Sequence, residues 1–228
     1  MDLHRRIDGY CERGGPDFWA EPLNAATNAA FILAALVGLL VAGRSGRLDG
    51  PVAFLVCLTF VIGIGSFLFH TFATVWAAIA DTTPIMLFIL GYFAIAMNRF
   101  AGFGWDRAVL LTVAFQAGMV LMSWGLRVTI APYIGSSTSY VPAFVALLAV
   151  GLWLSARAHP AGRWLVAAAT VFAVSLTFRT LDGPFCDTWP AGTHFLWHVL
   201  NGVVLGTLIL AVVRHGTRPR LAGRPRIA

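Results

Sequence analysis

Polar side chains recur at helical spacing inside apolar stretches of this sequence. Ser66 and His70 are four residues apart in GSFLFH, and His194 and His198 repeat that spacing in HFLWH. Residues four apart lie on one face of a helix, so each pair can face a common neighbour. Asp81, eleven residues after His70, adds a carboxylate. An ionisable group in such a stretch costs about 2.5–3.5 kcal/mol on insertion scales, so it normally has a partner or a function.

The three imidazoles match the ligand set of a catalytic zinc site, which keeps its fourth position for water. Zinc suits nitrogen ligands better than calcium or magnesium, which prefer oxygen. We therefore predict a zinc site at His70, His194 and His198. Asp81 would accept a proton from water, and Ser66 would donate a hydrogen bond to a developing oxyanion. For any one of these histidines taken alone, an interhelical hydrogen bond is the alternative.

Long apolar segments must position these groups. The chain is 58% hydrophobic and 11% charged, and a helix crosses a membrane in about 20 residues. The segments are 24–42, 51–72, 76–97, 108–128, 139–156, 163–179 and 193–213. The second and third together are far too long for one crossing, so we place a tight hairpin between Thr71 and Val75.

The fold class that follows is all-α, a bundle of seven transmembrane helices. We predict a single domain over residues 1–228, with a polar segment at 1–23 and a disordered basic tail at about 215–228. The opening segment is acidic and lacks the basic start and apolar core of a signal peptide, so no cleaved leader is expected.

Arginine placement predicts the orientation of the bundle. All sixteen basic residues are arginine, and cytoplasmic loops carry the excess of positive charge. One side holds Arg44, Arg47, Arg99, Arg107, Arg157, Arg163, Arg214, Arg218, Arg220, Arg224 and Arg226. The amino terminus is therefore expected outside and the carboxyl terminus in the cytoplasm. With this topology the five polar groups all fall in the outer half of the membrane.

The basic charge does not indicate nucleic acid as a partner. The net charge of +6 is spread over loops and a tail, without a nucleic-acid-binding module. Anionic lipid headgroups are the simpler partner. No obligate protein partner is predicted.

These motifs, in this order and spacing, resemble the alkaline ceramidases and the wider superfamily of seven-helix membrane hydrolases that includes the adiponectin receptors. The opening YCERGGPDFWAEPLNAATN also resembles the amino-terminal segment of ceramidase-domain proteins, bacterial ones in particular. The similarity runs from Asp8 to about Arg214. It implies a zinc-dependent amidase in a bacterial inner membrane that cleaves ceramide into a fatty acid and a sphingoid base.

The resemblance also implies roles for single residues. It makes His70, His194 and His198 the zinc ligands, with Ser66 and Asp81 as catalytic partners. Tyr140, at the head of the fifth helix, matches a tyrosine near the family's active site. An interfacial aromatic residue is the alternative for this tyrosine.

Calcium is a second ion that the resemblance implies, held by the acidic amino-terminal segment. Asp8, Glu12 and Glu21 supply oxygen ligands of the right kind. Arg13, however, stands where another oxygen ligand would be expected. The alternative is a solvated acidic loop that balances nearby arginines.

The cysteines divide into one in mid-helix and two near the outer ends of helices. We expect Cys57 to be a buried apolar filler. Cys11 and Cys186 both lie on the predicted outer side, where disulfides persist, and the resemblance implies that they pair. Two free thiols are the alternative.

A non-enzymatic receptor or lipid-binding protein is the rival interpretation, in which a metal only braces the bundle. Asp81 favours the enzyme, since a structural zinc site tends to be closed by four protein ligands and needs no base beside it.

Overall fold

The computed structural model describes residues 2–217 and consists of helices that lie side by side. Seven stretches are long and apolar enough to cross a membrane. The helices are α1 (Pro22–Thr27), α2 (Ala29–Arg44), α3 (Gly50–Phe72), α4 (Val75–Arg99), α5 (Trp105–Thr129), α6 (Ala131–Ile134), α7 (Val141–Ala156), α8 (Ala161–Phe185) and α9 (His194–His215). A 3-10 helix, Gly135–Tyr140, joins α6 to α7. The described residues contain no β-strand, so the all-α prediction is confirmed.

The predicted spans are all present, with different ends. The hairpin between α3 and α4 is only two residues long, and Ala73 in it has a left-handed backbone. Helix α8 continues past the predicted residue 179 to Phe185. The structure continues through Thr217, which bonds to Arg99; the rest of the predicted tail, 218–228, lies outside the described residues.

Glycines bring the central helices into close contact. Helices α3 and α9 are the most buried of the spans, whereas α5 is mostly exposed. At Gly65 on α3, a Cβ would overlap the carbonyl oxygen of Ala80 on α4. At Gly202 on α9, a Cβ would lie 2.9 Å from the backbone of Ala30 on α2. Such approaches need glycine, and they hold the histidine-bearing helices against their neighbours.

Arginines close the bundle at the end away from the histidines. Arg47 donates to the carbonyl of Val213 at 2.9 Å, near the end of α9. Arg99 donates to the carbonyl of Thr217 at 2.7 Å and to Asp49 at 2.7 Å. Cations at a helix carboxyl end satisfy carbonyls that have no partner within the helix.

The amino-terminal segment, residues 2–21, lies across the opposite end of the bundle. The Ile7 amide donates to the Ala73 carbonyl at 2.8 Å, which ties the segment to the α3–α4 hairpin. A disulfide joins Cys11 to Cys186, with the Cα atoms 5.2 Å apart, and so ties it to the α8–α9 loop. This pairing confirms the predicted disulfide. The burial predicted for Cys57 is wrong, because this residue is exposed on the outer face of α3.

Candidate metal and catalytic site

Three histidines converge at the end of the bundle that the amino-terminal segment covers. One ring nitrogen from each of His70, His194 and His198 lies within 4.8 Å of the others. All three side chains are 1% exposed. The ring centroids are 4.6 Å apart for His70 and His198, 4.7 Å for His194 and His198, and 5.2 Å for His70 and His194. Across residues 2–217 this is the only group of three or more metal-ligating side chains with such spacing.

Hydrogen bonds fix the orientation of two of these rings. His70 Nδ1 lies 2.6 Å from Glu21 Oε2; an ionised carboxylate only accepts, so Nδ1 carries the proton and Nε2 keeps its lone pair. His198 Nδ1 lies 3.0 Å from Thr27 Oγ1, whose own proton goes to the Leu23 carbonyl at 2.8 Å. His198 therefore also presents Nε2. Partners of this kind orient metal ligands and raise their basicity.

Asp182 positions the third histidine through the backbone. Its side chain is 3% exposed, and Oδ1 accepts from the amides of Thr193 and His194 at 2.8 and 2.9 Å. Oδ2 accepts from the Cys11 amide at 3.0 Å. Gly192 has a positive φ of 63°, and a Cβ there would overlap Asp182. The start of α9 and the disulfide are therefore held by one carboxylate.

Ser66 and Asp81 lie beside the histidines, where the α3–α4 contact at Gly65 brings them together. Ser66 is buried, one turn before His70. Its hydroxyl and His70 both lie near the Asp81 carboxylate. Asp81 is not one of the mutually close ligand atoms. The structure thus groups a carboxylate and a hydroxyl with a set of three nitrogen ligands.

Buried polar atoms without partners show that a cation fits here. His194 Nδ1, His198 Nε2 and Asp81 Oδ1 are all buried without a hydrogen-bond partner. Leaving such groups unsatisfied is costly. A metal ion on the nitrogens and a water molecule within reach of Asp81 would satisfy them together. Three imidazole nitrogens with a free fourth position suit zinc.

The acidic amino-terminal residues do not converge on a second ion. Asp8 is exposed, and Glu12 accepts from the amides of Leu23 and Asn24 at 2.6 and 2.7 Å, where it caps α1. Glu21 faces the histidines instead. Within residues 2–217 the three carboxylates do not form a mutually close ligand set, so the structure does not support the predicted calcium site.

Arg13 supplies the positive charge next to Glu21. Its Nε donates to Glu21 Oε1 at 2.5 Å, and Nη2 donates to the His70 carbonyl at 2.9 Å. Burial opposes the ionisation of Glu21, but the interactions with His70, Asn24 and Arg13 outweigh it and hold the pKa of Glu21 below its usual range. The arginine that departed from the calcium pattern is therefore part of the histidine site's support.

Replacing Glu21 with glutamine should weaken metal binding by about 10–100-fold, the usual cost of losing such a supporting group. The amide keeps the size of the side chain but removes the charge that orients His70. A chelator-competition titration measures the change. Glu12→Gln is the matched control, because Glu12 lies in the same segment and contacts no histidine. Equal metal affinity for Glu21→Gln and wild type would contradict this role.

Arg179 is the main site residue that the sequence analysis missed. Its guanidinium lies 5.0 Å from the Trp197 ring centroid, 5.3 Å from that of Tyr140 and 5.7 Å from that of Tyr10. Tyr10 in turn stacks on His194, with centroids 3.7 Å apart. The available signal in the sequence was an arginine at the end of an apolar segment, 163–179.

Tyr140, predicted as a catalytic residue, is separated from the histidines by the ring of Trp197. Its ring contacts Trp197, with centroids 4.8 Å apart, and packs against the apolar core. It belongs to the wall of the site and contacts none of the three imidazoles by ring stacking.

An apolar cavity opens next to this wall and runs down the bundle. Trp197, Tyr140 and Asn201 line its upper part, and Leu208 lines its lower part. From Trp197 to Leu208 is about 16 Å along α9. Most of the remaining lining is aliphatic or aromatic, so the cavity suits an alkyl chain. Trp197, which directly precedes His198, is the lining residue next to the histidines in the sequence.

The comparison with known families agrees with this arrangement. A family model described as Ceramidase matches residues 10–221. The match includes every membrane-spanning helix and every histidine of the site. No curated protein matches the chain. Because the family model covers most of the sequence, this multi-pass membrane protein belongs to the ceramidase family.

Proposed function

We propose that this protein is a zinc-dependent membrane amidase that hydrolyses ceramide-like lipid amides to a fatty acid and a sphingoid base. The observation that carries the proposal is the buried group of three histidines beside Asp81, and an apolar cavity lined by the neighbouring Trp197 supports it. Membership of the ceramidase family supports the amide as the bond that is cleaved. The orphaned nitrogens of His194 and His198 support the metal.

The chain's own residues divide the work of hydrolysis. Zinc would supply Lewis acidity, which polarises a carbonyl and makes water easier to deprotonate. Asp81 takes the proton from the attacking water and passes it to the leaving nitrogen. Ser66 donates a hydrogen bond to the carbonyl oxygen as negative charge develops there. The cavity holds the acyl chain, and the amino-terminal segment limits access of bulk water.

The rival function, a receptor or lipid-binding protein braced by metal, is less consistent with this geometry. A bracing zinc site is normally closed by four protein ligands. Here Asp81 stands outside the set of mutually close ligand atoms. Its unpartnered oxygen supports a role for Asp81 in accepting a proton.

Hydrolysis of a ceramide panel by the purified full-length protein tests the proposal. The expected products are free fatty acid and sphingoid base in equal amounts, detected by mass spectrometry. A diacylglycerol of matched chain length is the ester control. Hydrolysis of neither lipid by protein that retains its metal would favour the rival function.

We further propose that the site faces the extracytoplasmic side, in a bacterial inner membrane, and that lipid enters sideways between helices. The arginine distribution supports this topology, and so does the disulfide between Cys11 and Cys186, because disulfides persist in oxidising compartments. A reporter fused after Ala228 should register as cytoplasmic. An extracytoplasmic reporter would reverse the placement.

A further inference from the structure

Arg179 is half-buried and has no carboxylate partner among the described residues, unlike the buried Arg13 and Arg99. Arg13 pairs with Glu21 and Arg99 pairs with Asp49. Among residues 2–217 no carboxylate lies within salt-bridge distance of the Arg179 guanidinium. It donates to neutral oxygens only, those of Tyr10 at 2.9 Å and Ser136 at 3.1 Å.

One further donor of this guanidinium, the Nε–H, has no partner. Arg179 Nε is buried without a hydrogen-bond partner. Three aromatic rings surround the group, which stabilises a cation but does not neutralise it. A charge in a membrane-spanning helix normally marks a functional site. The buried, unpartnered Nε–H and the lack of a salt bridge to a described carboxylate together indicate an anionic ligand.

The surroundings of Arg179 show where that ligand would lie. Trp197, one of the rings around the guanidinium, precedes His198 directly and lines the apolar cavity. Tyr10, another of these rings, stacks on His194. The guanidinium therefore contacts both a ring of the cavity lining and a ring that stacks on a site histidine. A ligand that contacts the guanidinium there has an anionic head at the histidines and an apolar chain below.

We propose that Arg179 binds the carboxylate of a fatty acid whose alkyl chain fills the cavity. This deepens the proposed function, on which it rests, because a neutral amide becomes an anionic acid during hydrolysis. A planar guanidinium matches a carboxylate and forms charge-assisted hydrogen bonds with it. Arg179 thus favours the product acid over a neutral lipid of the same length, and the protein is inhibited by its own product.

Direct binding measurements on the full-length protein test this assignment. The probes are palmitate, hexadecanol as its neutral counterpart and hexadecyl phosphate as a lipid phosphate. Wild type should bind palmitate at least tenfold more tightly than hexadecanol. Arg179→Gln should lose that preference, Arg179→Lys should keep part of it, and hexadecanol binding should not change. Metal content is measured in each preparation, because the histidine site must be equally loaded.

Each other outcome overturns the assignment. Equal binding of palmitate and hexadecanol by wild type does so without any variant, which covers the case in which Arg179→Gln fails to fold. A preference that survives in Arg179→Gln assigns the carboxylate to another group. Binding of hexadecyl phosphate but not palmitate assigns Arg179 to a phosphate headgroup. Palmitate binding that depends on Arg179, without hydrolysis of amides, would support this inference and contradict the proposed function. Hydrolysis of amides without a preference for palmitate would support the proposed function and contradict this inference.

Discussion

Replacing His198 with alanine should abolish stoichiometric metal binding and lower ceramide hydrolysis by about a thousandfold or more. His198 presents Nε2 to the site, held there by Thr27, and no other described side chain is placed to replace it. Losing a metal that stabilises charge by several kcal/mol reduces the rate by at least that factor. Elemental analysis of purified protein and product release measure the two effects.

His4→Ala is the control for that experiment. His4 lies in the amino-terminal segment with an exposed side chain, so both metal content and rate should match wild type. Undiminished hydrolysis by His198→Ala would show that the histidine site does not perform the reaction. A loss of metal without a loss of rate would assign the metal to a structural role.

Replacing Asp81 with asparagine should lower the rate of hydrolysis by about 10²–10⁴-fold, the usual contribution of a general base, while the metal remains bound. Asparagine fills the same space but cannot take a proton from water. Asp81 lies outside the close ligand set, which is why the metal should stay. Single-turnover hydrolysis and metal content are measured on the same preparation.

Asp17→Asn is the control and should behave as wild type, because Asp17 is exposed in the amino-terminal segment. Two results would contradict the role of Asp81. A wild-type rate in Asp81→Asn would show that another group moves the proton. Loss of the metal would show that Asp81 is a ligand, as in a site that only braces the bundle.

The sequence predicted the parts of this site that follow from helix periodicity and chain order. His194 and His198 share a face of α9 because they are four residues apart. The spans and the turn before α4 placed His70, Asp81 and α9 at one end of the bundle before any contact was known. This grouping follows from the lengths of the apolar segments and the positions of the polar residues within them.

The rest depended on contacts between distant segments, which spacing does not encode. Thr27 and His198, which are 171 residues apart in the sequence, form a hydrogen bond. Asp182 and Cys11 are also 171 residues apart, and the side chain of Asp182 accepts a hydrogen bond from the backbone amide of Cys11. Arg179 ends an apolar segment in the sequence, and its position does not reveal that the guanidinium packs among aromatic rings.

Residue type alone also left two side-chain directions undetermined, those of Glu21 and Cys57, because each direction depends on the neighbours of the side chain. Glu21 turns to Arg13 and His70, and the calcium site assigned to it stays a prediction. Cys57 lies on the outward face of α3.

Removal and return of metal in one preparation test the central claim most directly. Ceramide hydrolysis is measured on the purified full-length protein after chelation, and again after zinc is added back. We expect hydrolysis to stop when the metal is removed and to recover as one zinc ion per chain is restored. Continued hydrolysis by metal-free protein would contradict the account.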